Sequence, residues 1–232
     1  MVSEIISRDL ITFAIGDIHG CRGALADLLL QCHEYAAGRP SRFVFIGDYI
    51  DRGADSRGVI ETVRELEHEA PRRVVCLLGN HEELLLSALG SGDPLLWLEN
   101  GGGATLASYG ASDPHALPAD DIAWLKSLRL TFDDGKRFYV HAGIDPDLPL
   151  DRQSRDTLLW IRARFHRAAR DYGRLIVHGH TPTWNAEPEV KPNRINVDSG
   201  VFFSGRLTAV VLGDGAPRFL HAEGEAGWGD DV

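Results

Sequence analysis

Three short apolar runs in the first third of the chain each end in a glycine, and a segment of helical pattern follows each glycine. The glycines that end the runs are Gly16, Gly47 and Gly79. Glycine at these points suits a buried strand that stops where the backbone adopts unusual dihedrals. Repeated strand–turn–helix units are joined by right-handed crossovers, so their strands lie largely parallel. The order of elements therefore predicts an α/β fold.

Apolar residues at helical spacing predict the helices that follow. The first apolar face comprises Ala24, Leu25, Leu28, Leu29 and Cys32, and the second comprises Val59, Ile60, Val63 and Leu66. We expect Ser56 to cap the second helix, and Asp120 or Asp121 to cap a shorter helix that runs to Leu128. A further helix is expected at about 156–169.

Later apolar runs predict a second set of strands. Two of them, at 130–132 and 138–140, flank the hairpin-type turn at 133–136. Another strand is expected at 175–177. The runs in the last third are at 195–197, 207–212 and 218–221. We expect these last three to be antiparallel strands that close a second sheet.

Composition and charge exclude several classes of function. Of 232 residues, 44% are hydrophobic and 25% charged, which is typical of a globular chain. We expect a single domain over 1–232, with an acidic, frayed tail from about residue 223. The 34 acidic and 24 basic residues give a net charge of −10, which disfavours binding to nucleic acid. No apolar run approaches the roughly 18 residues of a membrane helix, so no membrane partner is expected.

The cellular compartment is predicted from the N-terminal residues and the cysteines. The opening residues lack the basic start and the apolar core of a signal peptide. The three cysteines are an odd number without paired spacing, which argues against disulfides and thiolate metal sites. A cytoplasmic protein is therefore expected.

Polar side chains that can bind metal follow five of the predicted strands. They are Asp17 with His19, Asp48, Asn80, His141 and His180. Asp48 lies 31 residues after Asp17, and Asn80 lies 32 residues after Asp48, about one strand–helix–strand unit in each case. Ligands of open α/β folds bind where the carboxyl ends of the strands meet. We therefore expect the five loops to bring these side chains together.

The types of ligand indicate a pair of divalent metals and an anionic substrate. Carboxylate, carboxamide and imidazole groups suit manganese, iron or zinc better than copper(I) or an iron–sulfur cluster. Two divalent ions carry more charge than Asp17 and Asp48 neutralise. The excess of about +2 matches a phosphate dianion.

The five motifs together resemble the phosphoprotein phosphatase branch of the calcineurin-like metallophosphoesterases, especially its compact bacterial and phage-lambda-like serine/threonine protein phosphatases. The resemblance spans about Thr12 to Thr181. It implies a four-layered α/β/β/α sandwich of two mixed sheets, which some schemes class as α+β. It also implies two divalent metal ions, with manganese as first choice and iron or zinc as alternatives. The implied reaction is one-step hydrolysis by a metal-bridging hydroxide.

The same resemblance implies a role for each site residue. The implied metal ligands are Asp17 and His19 at the first ion, Asp48 as the bridge, and Asn80, His141 and His180 at the second ion. His81 is implied as the general acid, with its ring held by Asp51. Phosphate is implied to bind Arg52, Asn80 and Arg162, the last from the segment Trp160-Ile161-Arg162, with Arg164 and Arg167 as close alternatives.

Four other residues near the motifs are assigned less specific roles. We expect His178 to pack or to support a ligand rather than bind metal, because the resemblance places the ligand at the second histidine of that motif. Cys21 is expected to be an ordinary small buried residue, and Trp97 a core side chain. Asn100 is a candidate to approach the site.

Three functions are compatible with these motifs. The first is a phosphatase acting on phosphoserine, phosphothreonine or phosphotyrosine in proteins. The second is a hydrolase of small phosphoesters such as diadenosine tetraphosphate, and the third is a non-catalytic metal-binding regulator. The third predicts a missing ligand or acid, and none is missing. Asp51 favours the first, because symmetrical tetraphosphatases of this branch lack an acid at that position.

Overall fold

The fold is built on two five-stranded mixed sheets in the computed structural model, which describes residues 10–224. The first sheet contains β1 (Ile11–Ile15), β2 (Ser41–Phe45), β3 (Val74–Cys76), β9 (Arg206–Leu212) and β10 (Arg218–Glu223), in the order β10-β9-β1-β2-β3. The second contains β4 (Thr131–Asp133), β5 (Arg137–Val140), β6 (Leu175–His178), β7 (Glu189–Val190) and β8 (Arg194–Asn196), in the order β4-β5-β6-β8-β7.

Helices connect most of these strands. They are α1 (Arg22–Ala36), α2 (Ser56–Glu69), α3 (Asn80–Ser91), α4 (Leu95–Trp97), α5 (Gly103–Tyr109), α6 (Ala119–Ser127), α7 (Arg155–Trp160), α8 (Ala163–His166) and α9 (Val201–Ser204). A π-helical turn (Leu98–Gly102) joins α4 to α5, and short 3-10 turns cover Pro114–Ala116 and Leu150–Arg152.

Three buried apolar clusters give the fold four layers. The inner faces of both sheets pack together through residues such as Ala14, Val44 and Val177. On the outer face of the first sheet, residues that include Phe13 pack against α1, α2 and α3. On the outer face of the second, residues that include Phe138 pack against α7 and α8. The predicted α/β/β/α sandwich of two mixed sheets is confirmed.

The predicted parallel pairing is confirmed for the first three strands, whereas the prediction for the last third is correct only in part. β1 pairs in parallel with β2, and β2 with β3. β8 does join the second sheet, but it pairs in parallel with β6. β9 and β10 pair antiparallel at the edge of the first sheet. The residues of β9 alternate between the two apolar clusters that cover this sheet, and a continuously apolar strand suits burial on both faces.

Three predicted helix features are corrected by the structure. The cap of α2 is Asp55, whose carboxylate accepts the Gly58 N–H at 2.8 Å, and Ser56 is the first helical residue. Pro118 precedes α6, so Asp120 and Asp121 lie in its first turn. The helix expected at 156–169 is two short helices, because the backbone of Arg162 leaves the helical region between α7 and α8.

β10 runs to Glu223, and residues 225–232 of the predicted tail lie outside the described residues. Within residues 10–224, no helix combines the length and the apolar character that crossing a membrane requires.

Candidate dinuclear metal site

The predicted ligands follow strands of both sheets and lie together at one end of the sandwich. Asp17 and His19 follow β1, Asp48 follows β2, and Asn80 begins α3 directly after β3. His141 and His180 come from the second sheet, after β5 and β6. All six side chains are buried. The site therefore lies where the two sheets meet, and not at the edge of a single sheet.

Unusual backbone conformation is concentrated in these loops. Within residues 10–224, seven non-glycine residues have positive φ, and five of them are His19, Asp48, Asp51, Arg52 and His180. Such conformations cost of order 1–3 kcal/mol each and persist only where the surroundings enforce them. Their concentration here indicates that the loops are shaped for ligand geometry at the expense of stability.

Asp48 lies at the centre of the site. Its two carboxylate oxygens are 3.5 Å from Nε2 of His19 and 3.5 Å from Nε2 of His141. Two groups of potential ligand atoms, each within 4.8 Å of one another, share this residue. One comprises His19, Asp48 and His81, and the other comprises Asp48, His141 and His180. Asp48 alone belongs to both groups, which is the geometry of a bridging ligand.

The surroundings of Asn80 fit a cation. Nε2 of His141 and Nδ1 of His180 each lie 2.8 Å from Asn80 Oδ1. His141 donates its Nδ1 proton to the Ile46 carbonyl at 3.0 Å, so a neutral ring directs a lone pair at the Asn80 oxygen. Nε2 of His180 is a buried nitrogen without a hydrogen-bond partner. A lone pair of His141 thus faces the Asn80 oxygen, and a metal ion shared by these two groups would satisfy both.

Asp17 has a neighbour that was not predicted, Asp198. Oδ1 of Asp17 and Oδ2 of Asp198 are buried oxygens without hydrogen-bond partners, and the two side chains are in contact. Burial, Asp198 and Asp48 raise the pKa of Asp17 well above its usual value. Asp198 follows the parallel strand β8, so the rule that identified the other ligands would also have found it. The error lay in expecting antiparallel strands there.

The neighbouring groups keep Asp48 charged, and burial favours neutral rings at His19, His141 and His180. Burial alone would raise the pKa of Asp48, but His141, His81 and His19 hold it far below its ordinary range. Burial lowers the pKa of His19 and of His141, and it lowers that of His180 to about 2. Metal ligands need these protonation states, an ionised carboxylate and neutral imidazole rings.

His81 and Asp51 form a buried pair beside the predicted ligands. Nδ1 of His81 donates to Oδ2 of Asp51 at 2.8 Å. Burial lowers the pKa of His81, but Asp48 and the bond to Asp51 outweigh burial, so the net change is upward. The pair matches the predicted arrangement of an acid and its holder. Because His81 also lies within ligand distance of His19 and Asp48, geometry alone allows it a second role at a metal.

Arg52 and Arg162 are both close enough to the predicted ligands to affect them. Arg52 donates to Nε2 of His19 at 2.9 Å, and its guanidinium lies 4.4 Å from the ring centroid of Phe202. Arg162 is exposed, and its charge adds to the burial that lowers the pKa of His141 and His180. Arg164 instead pairs with Asp145 and Asp147 at 2.9 and 2.7 Å. The charge of Arg162 therefore reaches the predicted ligands His141 and His180, whereas Arg164 is held by two carboxylates.

The remaining predicted residues lie around the site. His178 is buried against the rings of Phe165 and His166, and it belongs to neither group of ligand atoms. Half-buried Cys21 has its thiol pKa raised to about 11 by burial. Asn100 lines an open cleft of about 640 Å³ beside Arg52.

Trp97 is a buried core side chain, as predicted, and it also forms hydrogen bonds next to the site. Its indole N–H lies 3.0 Å from both carboxylate oxygens of Asp51. The hydroxyl of Thr105 donates to Oδ1 of the same carboxylate at 2.7 Å. Neither bond was predicted, because the short helices around the π turn bring these residues to Asp51 only in the folded chain.

Known proteins resemble this chain over most of its length. The profile of the family described as calcineurin-like phosphoesterase matches residues 12–214. Serine/threonine-protein phosphatase 1 of Salmonella typhimurium is 30% identical over 208 residues, which cover 84% of this chain and 89% of that protein. The asymmetrical bis(5'-nucleosyl)-tetraphosphatase PrpE of Anoxybacillus flavithermus is 31% identical over 225 residues, covering 84% and 88%.

A solved structure shares the fold at lower identity. A protein serine/threonine phosphatase from Saccharomyces cerevisiae superposes with a TM-score of 0.65 at 18% identity, covering 94% of this chain and 81% of that one. At this identity the likeness concerns the arrangement of the two sheets and their helices.

Proposed function

The chain belongs to the calcineurin-like phosphoesterase family and is a metal-dependent phosphoesterase, and we propose that its substrates are phosphomonoesters of serine, threonine or tyrosine in proteins. The observation that carries this proposal is the buried pair of His81 and Asp51, whose side chains are 2.8 Å apart. A phosphatase similar over most of the chain is named for serine and threonine, which supports it.

The pair matters because substrates differ in how much their leaving group needs a proton. A serine alkoxide is a strong base and leaves poorly, and a tyrosine phenolate has a pKa of about 10. The phosphate that leaves from a dinucleoside polyphosphate is a weak base with a pKa of about 6, so it departs with little help. An oriented acid therefore benefits phosphomonoesters most.

The metal ligands in this proposal are the predicted ones. Asp17, His19 and Asp48 would hold one divalent ion, and Asp48, Asn80, His141 and His180 the other, with manganese proposed as the native metal. Two such ions supply an activated water and positive charge against the phosphate. The orphaned oxygen of Asp17 and the opposed donor atoms at Asn80 support this assignment.

The remaining residues bind phosphate and move a proton. Arg52 and Arg162 would each donate two hydrogen bonds to phosphate oxygens, since the planar guanidinium group matches the spacing of two such oxygens. His81 donates Nδ1–H to Asp51, so the proton for the leaving oxygen comes from Nε2 of its imidazolium. Asp51 keeps the ring in that orientation and stabilises its charge.

Dinucleoside polyphosphate hydrolysis is the second candidate, because a relative of similar identity is named as an asymmetrical tetraphosphatase. The two candidates share the metal site and differ in whether the acid is needed. Turnover of diadenosine tetraphosphate and of a phosphoserine peptide by the manganese-loaded wild type compares them directly. Much faster turnover of the dinucleotide would favour the second candidate.

The decisive variant is His81→Asn. We expect it to reduce hydrolysis of a phosphoserine peptide more than that of nitrophenyl phosphate, by about an extra 10–10³-fold. Asp51→Asn should give a smaller loss with the same selectivity, because it only disorients the acid. His68→Asn, at an exposed histidine, is the matched control and should change neither rate. Equal losses on both substrates in His81→Asn would mean that His81 binds metal or phosphate.

A further inference from the structure

We propose that Trp97 and Thr105 are positioning residues that hold Asp51, and through it His81, in the orientation required for proton donation. This inference rests on the proposed function, in which His81 is the general acid. It assigns a role to the segment between α3 and α6, which contains none of the predicted ligands.

The carboxylate of Asp51 is enclosed by three donors. His81 Nδ1 donates to Oδ2 at 2.8 Å, Thr105 donates to Oδ1 at 2.7 Å, and the Trp97 indole N–H lies 3.0 Å from both oxygens. Asp51, Trp97 and Thr105 are all buried. Water cannot readily replace a lost donor there. Each hydrogen bond therefore restricts the orientation of the carboxylate relative to the His81 ring.

The backbone of Asp51 is held by the same segment. Its N–H lies 2.9 Å from the hydroxyl oxygen of Thr105 and 3.1 Å from that of Ser56. The two hydroxyl oxygens are 3.0 Å apart, and Thr105 donates its own proton to the Asp51 carboxylate. Asp51 has a backbone φ of 72°, a strained value for a residue other than glycine. Thr105 thus restrains both the backbone and the side chain of this residue.

The π turn explains how the indole reaches Asp51. A Cβ atom on Gly102 would overlap the indole ring of Trp97, so only glycine leaves room for the ring at this point. Gly101 has a φ of 102°, and its carbonyl accepts the N–H of Arg52 at 3.2 Å. One short turn therefore packs on the indole that contacts Asp51 and also bonds to Arg52, which is proposed to bind phosphate.

The test measures how the leaving group changes the effect of removing each donor. Trp97→Phe keeps an aromatic ring without the N–H, and Thr105→Val removes the hydroxyl. We expect each to reduce kcat on a phosphoserine peptide by about 10-fold while nitrophenyl phosphate changes by less than about 2-fold. Metal content should equal that of the wild type, and Thr105→Ser should restore the peptide rate.

Trp124→Phe is the matched control. The indole of Trp124 donates to the carboxylate of Glu67 at 2.7 Å, a bond of the same kind away from the site. This variant should lose stability without leaving-group selectivity. If Trp97→Phe does not fold, the comparison of Thr105→Val with Thr105→Ser decides the question by itself.

The possible outcomes separate this inference from the function on which it rests. If His81→Asn is selective but Trp97→Phe and Thr105→Val lower both rates equally, or neither, the two residues only pack and the inference is wrong. If His81→Asn itself lacks selectivity, the proposed function fails and the inference fails with it.

Discussion

The carboxylate of Glu82 accepts the backbone N–H of Asp48 at 2.9 Å, from a position within α3. The same carboxylate accepts the N–H groups of Tyr49, Ile50 and Gly79 at 2.8, 3.3 and 3.0 Å. Glu82 is fully buried, and four donors on its two oxygens hold the turn that presents Asp48. The position of Asp48, the proposed bridging ligand, therefore depends on a residue outside the proposed set of ligands.

Glu82→Ala is expected to unfold this turn. Four buried N–H groups would lose their acceptor, and we expect a loss of about 3–5 kcal/mol in the free energy of unfolding, with weaker binding of both metal ions. Glu82→Gln should not rescue the protein, because its amide NH₂ would face two of the N–H donors. Denaturant unfolding and metal content measure these effects.

The neighbouring Glu83 is the control. It forms a partly exposed ion pair with Arg155 at 2.9 Å. Glu83→Ala should change stability by no more than about 1 kcal/mol and leave metal content unchanged. Similar losses in the two variants would show that Glu82 has no special part in holding the turn.

Asp48→Asn should weaken metal binding at the site. Asp48 belongs to both groups of ligand atoms, and asparagine removes its charge while keeping its shape. We expect metal analysis to find fewer than two tightly held ions per chain, and turnover to fall by at least about 100-fold. Asp27→Asn, at an exposed carboxylate, should retain both. Two tightly bound ions and normal rates in Asp48→Asn would contradict the bridging role.

Arg162→Lys should impair phosphate binding while Arg164→Lys does not. Arg162 acts electrostatically on His141 and His180, whereas Arg164 is paired with Asp145 and Asp147. A lysine cannot bind two phosphate oxygens in the bidentate manner of arginine. We therefore expect kcat/KM to fall about 10-fold or more in Arg162→Lys. Steady-state kinetics on nitrophenyl phosphate compare the two. A larger loss in Arg164→Lys would move the phosphate contact to that residue.

The cysteine thiols should react slowly in the folded protein. Burial raises the pKa of Cys21 to about 11 and that of Cys32 to about 12, and it also raises the pKa of Cys76. Alkylation by iodoacetamide at pH 8 should be at least about 100-fold slower than in the urea-unfolded chain. The folded state holds these protons more tightly, so stability should fall as pH rises from about 9 through about 12. Rapid alkylation of the native protein would contradict the burial of these thiols.

Local sequence determined the first three strands, their helices and the ligand types. The ends of the first three strands, at Gly16, Gly47 and Gly79, could be predicted because an apolar run followed by glycine is a signal contained within a few neighbouring residues. The hairpin of β4 and β5 is equally local, since its turn lies between its strands. Six ligands could be placed at strand ends because parallel strands present their carboxyl ends on one side.

Tertiary structure decided which sheet each late strand joins. β9 pairs with β1, although almost the whole sequence separates the two strands. The apolar pattern of β9 does not specify which strand it pairs with. The same uncertainty concealed Asp198, because the strand that precedes it was predicted to be antiparallel, although it pairs in parallel with β6. Register between distant strands depends on contacts that no local pattern contains.

Tertiary structure also decided what surrounds each functional group. Trp97 and Asp51 lie 46 residues apart in sequence, and Glu82 lies 34 residues after the N–H of Asp48 that it accepts. A tryptophan in an apolar segment and a glutamate in a helix have ordinary local explanations. Their roles arise because burial removes water from Asp51 and from the Asp48 turn, so each polar group there requires a partner that only the folded chain supplies. The sequence by itself thus determined which chemical groups reach the site, and the packing of distant segments decided which residues hold them in place.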